Sequence, residues 1–203
     1  MNHATNGNVT CELCFDAYGP FELPWYYGEE GSMMQQQKRP RLGWLVTKEQ
    51  YEMNRGTMDE EQYLHQTHGW EESIKVLDGL LDGGRYDCIL GFSQGAAVAA
   101  CTSARECSKS SAPRFKCCII LSGYTLPMME EYKESKVGMP SMHIFGDPSK
   151  ESQIPIPESQ ALADAFDESS RKILQTSHGH MVPSSRDDIA RIGSFLLEHC
   201  CAN

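Results

Sequence analysis

The sequence predicts an α/β fold in which a mostly parallel sheet is flanked by helices, built as one domain of 203 residues. Three observations carry that prediction. An apolar run at residues 86–90 leads through Gly91-Phe92-Ser93-Gln94-Gly95 straight into the small-residue stretch Ala96-Ala97-Val98-Ala99-Ala100. Short apolar runs recur at residues 140–146 and 171–176, each opening into a polar or glycine-containing loop, as buried strands of a parallel sheet do. An amphipathic helical pattern closes the chain at residues 185–199.

Taken in order, residues 1–8 are polar and unpatterned, and the first strand pattern falls near residues 9–15. Residues 23–67 form a long irregular insertion with scattered aromatics, among them Trp25, Tyr26 and Trp44. A loop well beyond about 15 residues in a compact domain reads as a lid or an irregular cover. Asp82-Gly83-Gly84 marks the turn into the strand at 86–90. Residues 96–105 carry almost no bulk and suit a helix packed tightly on a sheet, alanine being also the best helix former.

Composition narrows the function. The chain is 40% hydrophobic and 23% charged, ordinary for a globular domain, and it holds no apolar run long enough to span a bilayer. No charged start followed by an apolar core reads as a secretory leader, so a cytoplasmic protein is expected. A net charge of −10 opposes nucleic acid and anionic membranes, whose binding draws on Lys and Arg. Nine cysteines, with neighbours at Cys117-Cys118 and Cys200-Cys201, read as reduced thiols, several in strands. Cys11 and Cys14 share the C-x-x-C spacing, but two positions three apart on a strand face opposite ways and no second pair follows. His65 and His68 form a weak metal pair without a partner cluster, and no metal or other cofactor is expected.

The chemistry centres on Ser93. A strand that turns sharply into a helix lifts one hydroxyl out of the sheet, and flanking glycines let strand and helix pass closely. A serine at its own pKa is a poor nucleophile, so it needs a base within reach and an acid to orient that base. The loop Ser177-His178-Gly179-His180-Met181-Val182-Pro183 follows the strand at 171–176 and supplies His180, with His178 as the competing base. Met142-His143-Ile144-Phe145-Gly146 opens into Asp147-Pro148-Ser149-Lys150-Glu151, which supplies an acid. Serine, acid and histidine in that chain order is the α/β-hydrolase order.

Residues 85–99, with Ile120-Leu121-Ser122-Gly123-Tyr124 and Gly179-His180-Met181-Val182-Pro183, resemble the serine hydrolase FSH family of fungal and animal hydrolases. Cys14-Phe15-Asp16-Ala17-Tyr18-Gly19-Pro20 resembles its early strand and turn, so the similarity runs through nearly the whole chain in order. The resemblance implies a small α/β-hydrolase acting on carboxylic esters or thioesters through Ser93 and His180, with the Gln94 amide donating to the oxyanion. It also implies that the 23–67 insertion covers the site, making Trp25, Tyr26 and Trp44 candidates for lining an acyl pocket. Packing the loop down is an equal reading of those three aromatics.

Two departures from the family are visible. Members begin with a strand and a glycine-type loop that gives a second oxyanion donor, and that segment has no counterpart here. The expectation is therefore an N-terminally incomplete hydrolase, from a truncated gene model or isoform, or a weak or silent hydrolase-shaped binding protein. A missing oxyanion donor costs on the order of a hundred- to a thousand-fold in rate. The acid is also displaced: counting from Gly146 reaches Ser149, and counting back from Pro155 reaches Glu151. The acid is Asp147 or Glu151, with a slight lean to Asp147 because it lies at the strand end.

Overall fold

Among the described residues, four strands in sequence order form the main sheet, and the path of the chain through it sets where the candidate residues lie. The computed structural model describes residues 19–22, 42–53, 65–83, 86–109, 112–132, 135–150 and 153–201. The strand expected near 9–15, together with Cys11, Cys14, Trp25, Tyr26 and Glu151, lies outside the described residues. Strands β1 (Phe21–Glu22) and β2 (Leu42–Gly43) pair as a small antiparallel ribbon, followed by helices α1 (Lys48–Met53) and α2 (Trp70–Leu81). Then come β3 (Cys88–Phe92), α3 (Gln94–Lys109), β4 (Cys117–Leu121), β5 (Ser141–Phe145), α4 (Ile156–Asp164), β6 (Arg171–Gln175) and α5 (Arg186–Cys200). A 3-10 turn at Pro127–Tyr132 links β4 to β5.

The sheet order is β3-β4-β5-β6 and every pairing within it is parallel. Successive residues of a strand point to opposite faces, so each strand feeds two cores. Cys118 and Ile120 of β4 turn toward α2, α3 and α4, joining Leu77, Leu81, Val98 and Leu162. Cys117, Ile119 and Leu121 turn the other way and meet Phe195 of α5, with Met142, Ile144 and Leu174 beside them. β4 and β5 are buried at every position, as the interior strands of a parallel sheet should be.

The small-residue run after Ser93 explains how closely α3 approaches. Ala96, Ala97 and Ala100 have no exposed surface, so helix and sheet are separated by little more than methyl groups. Its buried hydroxyls are satisfied internally, Thr102 Oγ1 donating to the Val98 carbonyl and Ser103 Oγ to that of Ala99, both at 2.8 Å. The far end of α3 is tied to α2 by charge. Arg105 donates both guanidinium nitrogens to Asp78 at 2.8 Å, and Arg114 spreads over Glu106, Asp78 and Asp82. Hydrogen bonding from Arg105, with Arg114 beside it, holds the Asp78 carboxyl well below the usual range.

The sequence placed β3 two residues early and began α3 two residues late; both ends slide onto the Ser93 turn, which is shorter than propensity alone suggests. Ser185 caps α5, its Oγ accepting from the Asp188 amide at 3.1 Å and donating to Asp188 Oδ2 at 2.7 Å. No described helix is long and apolar enough to cross a membrane.

Candidate active site

At the end of β3 the backbone reverses into α3 with no connecting residue except Ser93, whose φ is 54°. Left-handed geometry at a residue with a Cβ costs on the order of 1–3 kcal/mol and persists only where neighbours hold it. Here the sheet ladder does so, extending past the strand: the Ser93 amide donates to the Leu121 carbonyl at 2.9 Å. The Ser93 carbonyl in turn accepts from the amides of Ala96 and Ala97, starting the helix. The end of β4 repeats the device, Ser122 having φ 48° and donating to the Ile144 carbonyl at 2.8 Å.

The two glycines of the turn do different work. A Cβ on Gly91 would lie 2.2 Å from the Gly95 carbonyl oxygen and 2.6 Å from Ala96 Cα, so only glycine lets the strand pass under the helix. A Cβ on Gly95 would meet nothing nearer than the Trp44 indole at 3.7 Å. Close passage thus rests on Gly91 alone, whereas Gly95 leaves room beneath Trp44. That indole lies over the first turn of α3, two residues from Ser93, and packs on the α3-side core.

Gln94 holds Trp44 there, a role that sequence reasoning missed. Its Oε1 accepts from the amides of Trp44 at 2.7 Å and Leu45 at 3.1 Å, while Nε2 donates to the Leu45 carbonyl at 2.9 Å and to Gln66 Oε1 at 2.5 Å. The Ser73 hydroxyl of α2 donates to the Trp44 carbonyl, and Val46 and His68 close an antiparallel bridge alongside. One carboxamide thereby fastens two segments of the insertion to the residue after Ser93. The Gln94 amide itself sits in the first turn, where backbone N–H groups lack intrahelical acceptors. No motif marks Gln66 or Ser73, because their partners are 28 and 29 residues away in sequence.

The loops after β5 and β6 interlock beside this turn. Gly146 lies so close to the last loop that a Cβ would be 2.1 Å from the His178 carbonyl oxygen, and the Asp147 amide donates to that same oxygen at 2.7 Å. His178 is thus fixed by its backbone as the clasp between the loops. His180 follows, its ring packed on Phe92 with centroids 4.7 Å apart and its Nδ1 buried. Phe92 immediately precedes Ser93, so the three strand ends that sequence nominated do come together. Asp147 is partly exposed; its Oδ1 accepts from the Ser149 amide at 2.9 Å and hydroxyl at 2.7 Å, and Lys150 Nζ stands 3.8 Å from Oδ2. Those two Ser149 bonds hold its carboxyl below the usual carboxylate range.

A parallel sheet with a strained serine between strand and helix, and loops from two further strands gathered beside it, defines an α/β-hydrolase. A family model described as serine hydrolase (FSH1) matches residues 10–192, and the chain belongs to that family. It is 31% identical to Esterase OVCA2 of Mus musculus over 188 residues, covering 88% of this chain and 79% of the mouse protein. It is 34% identical to the Arabidopsis thaliana Rhodanese-like domain-containing protein 6, over 79% of this chain but 27% of that protein. Of Esterase OVCA2 from Bos taurus it matches 52%, at 36% identity over 58% of this chain, so the matched lengths range from about a quarter to four fifths of these relatives. Among solved structures, esterase PE8 superposes with a TM-score of 0.55 at 21% identity, over 78% of this chain and 70% of that one. Zea mays acyl-protein thioesterase 2 does so with 0.52 at 18% identity, over 78% and 73%. Those two structures share the fold.

Proposed function

We propose that the chain is a single-domain serine esterase that cleaves carboxylic esters or thioesters through an acyl-enzyme on Ser93. The observation that carries this reading is the strained Ser93 turn set against the loop that packs His180 on Phe92. His180 takes the Ser93 proton as the oxygen attacks the substrate carbonyl, and it returns that proton to the departing alcohol or thiol. Water, deprotonated by the same imidazole, then releases the acid and restores Ser93. The Gln94 amide donates to the oxyanion in both tetrahedral states, and a carboxylate of the 147–151 loop, Asp147 or Glu151, orients the imidazole. The reaction needs no cofactor.

Trp44, held over the start of α3, forms one wall of the acyl site. Relatives named as esterases support the ester reading, and the maize thioesterase shares the fold that a thioester substrate would use. A cytoplasmic setting agrees with the seven free thiols among the described residues. A fluorophosphonate probe tests the assignment. Wild-type protein should be labelled and should hydrolyse p-nitrophenyl and thioester substrates, whereas Ser93→Ala and His180→Ala, still folded, should lose labelling and at least about a thousand-fold in kcat. Equal labelling of Ser93→Ala would end the proposal.

A further inference from the structure

Three thiols converge at the end of the sheet away from Ser93. Cys88 opens β3 and Cys117 opens β4, directly opposite one another in the parallel register, and Cys200 is the last residue of α5. Cys117 Sγ and Cys200 Sγ are 3.5 Å apart, and Cys117 also lies 3.9 Å from the Asp87 carbonyl. The Lys116 ammonium spans the same corner, donating to the Cys200 carbonyl at 3.2 Å and pairing with Asp87 at 3.0 Å. Helix end and strand start are thus held in register by a contact independent of the sulfurs.

We propose that Cys117 and Cys200 are an oxidisable pair that closes into a disulfide under peroxide, stapling α5 to β4. Cys200 is the half-buried, entering thiol: its sulfur attacks one peroxide oxygen, forming a sulfenic acid and releasing one water. The Cys117 sulfur then displaces the sulfenic oxygen as a second water, and the S–S bond forms. Two thiol hydrogens and two electrons leave the protein, and the peroxide is reduced to two waters. Closing 3.5 Å to a bond of about 2 Å requires a shift of one partner, and the C-terminal turn of α5 is where the chain can give. Cys88 also hydrogen-bonds the Cys117 thiol but is the poorer partner for a covalent bond, because both are fixed by ladders on adjacent strands whereas Cys200 lies on a helix end. Adjacent Cys200 and Cys201 could join only through a strained ring. Burial, with Cys117 beside it, raises the Cys200 thiol to about 12, so attack on peroxide is slow at neutral pH and quickens as pH rises.

The bond would close a loop reaching from β4 to the end of α5 that includes the acid and histidine loops. By constraining so long a stretch of the unfolded chain it should raise the thermal midpoint by about 10 °C. The experiment treats the reduced full chain with hydrogen peroxide at pH 8.5, alkylates the remaining thiols and maps peptides alongside a melting curve. Wild type, Cys118→Ala and Cys201→Ser should each gain one intramolecular bond and the higher midpoint, both reversed by dithiothreitol. Cys117→Ala and Cys200→Ser should gain neither, and the half-buried site of Cys200 keeps the test open if Cys117→Ala does not fold. A cross-link that survives Cys200→Ser, a wild-type bond joining Cys88 to Cys117, or no bond at all would overturn the proposal.

Discussion

The Ser93 turn and the loop after β5 close two strands of one sheet and are built in different ways. The turn is fixed by backbone: Gly91 slides beneath the Gly95 carbonyl, the Ser93 amide extends the sheet, and the Gln94 carboxamide bolts Trp44 and Leu45 above it. Beyond the backbone bond from the Asp147 amide to the His178 carbonyl, the 147–150 loop is held largely by side chains near the surface, with Asp147 bonded to Ser149 and facing Lys150, whose ammonium reaches the Ser177 carbonyl at 2.6 Å. Strain is stored at the turn, and on the proposed mechanism the orienting charge would come from a loop held apart from it.

The largest test of that contrast concerns the acid. Asp147→Asn and Glu151→Gln should divide sharply: the variant that removes the orienting carboxylate loses about ten-thousand-fold in kcat by the known effect of an amide in that place, and the other stays within about three-fold. Asp147→Asn should lower stability little, because that side chain is partly exposed and bonds within its own loop. Steady-state hydrolysis with both proteins decides between them, and equal large losses would mean that the two carboxylates act together.

At the turn the opposite pattern holds. Gly91→Ala should cost roughly 3–5 kcal/mol or prevent folding, since the added methyl meets backbone that cannot step aside. Gly95→Ala, with only the indole edge 3.7 Å away, should cost less than about 1 kcal/mol in urea unfolding yet alter KM, because it fills the space beneath Trp44. Next in size, Gln94→Leu strands the Trp44 and Leu45 amides and should cost about 2–3 kcal/mol, with a fall in kcat/KM for long acyl chains exceeding that for acetate. A uniform loss across chain lengths would separate Gln94 from the pocket.

The smallest effect at neutral pH comes from β5 itself. His143 is buried on the strand that leads to the acid loop, stacked edge-on against Phe166 with Nε2 3.2 Å from Ser141 Oγ. Burial first, then Arg171, lower its pKa to about 3, with Asp164 opposing. An imidazole whose folded pKa is depressed gives stability that is complete above its ordinary value of 6.5 and is lost as pH falls toward about 3, because the unfolded chain takes the proton first. Urea midpoints should therefore decline from pH 6.5 downward, and His143→Gln should flatten that decline while leaving pH 8 stability lower by the lost packing.

Much of this was legible in the chain. The glycine-serine-glycine turn between an apolar run and an alanine helix located Ser93, because a strand that must pass under a helix tolerates few residue types. Short apolar runs located β3, β5 and β6 to within about two residues, and the amphipathic pattern at 185–199 located α5. Local periodicity and sterics write themselves into neighbouring residues, so sequence alone determines them.

Other features were decided only in three dimensions. Sequence counted two working glycines where packing needs one, and it read Gln94 for its amide while the carboxamide anchors residues about 50 and 28 positions away. It treated nine cysteines as so many buried thiols, whereas the fold selects Cys117 and Cys200, 83 residues apart, and sets their sulfurs in contact. Hydrogen bonds and sulfur contacts of such separation depend on how helices lie across the sheet, and that arrangement follows from the summed burial of two cores, which no single stretch of residues encodes.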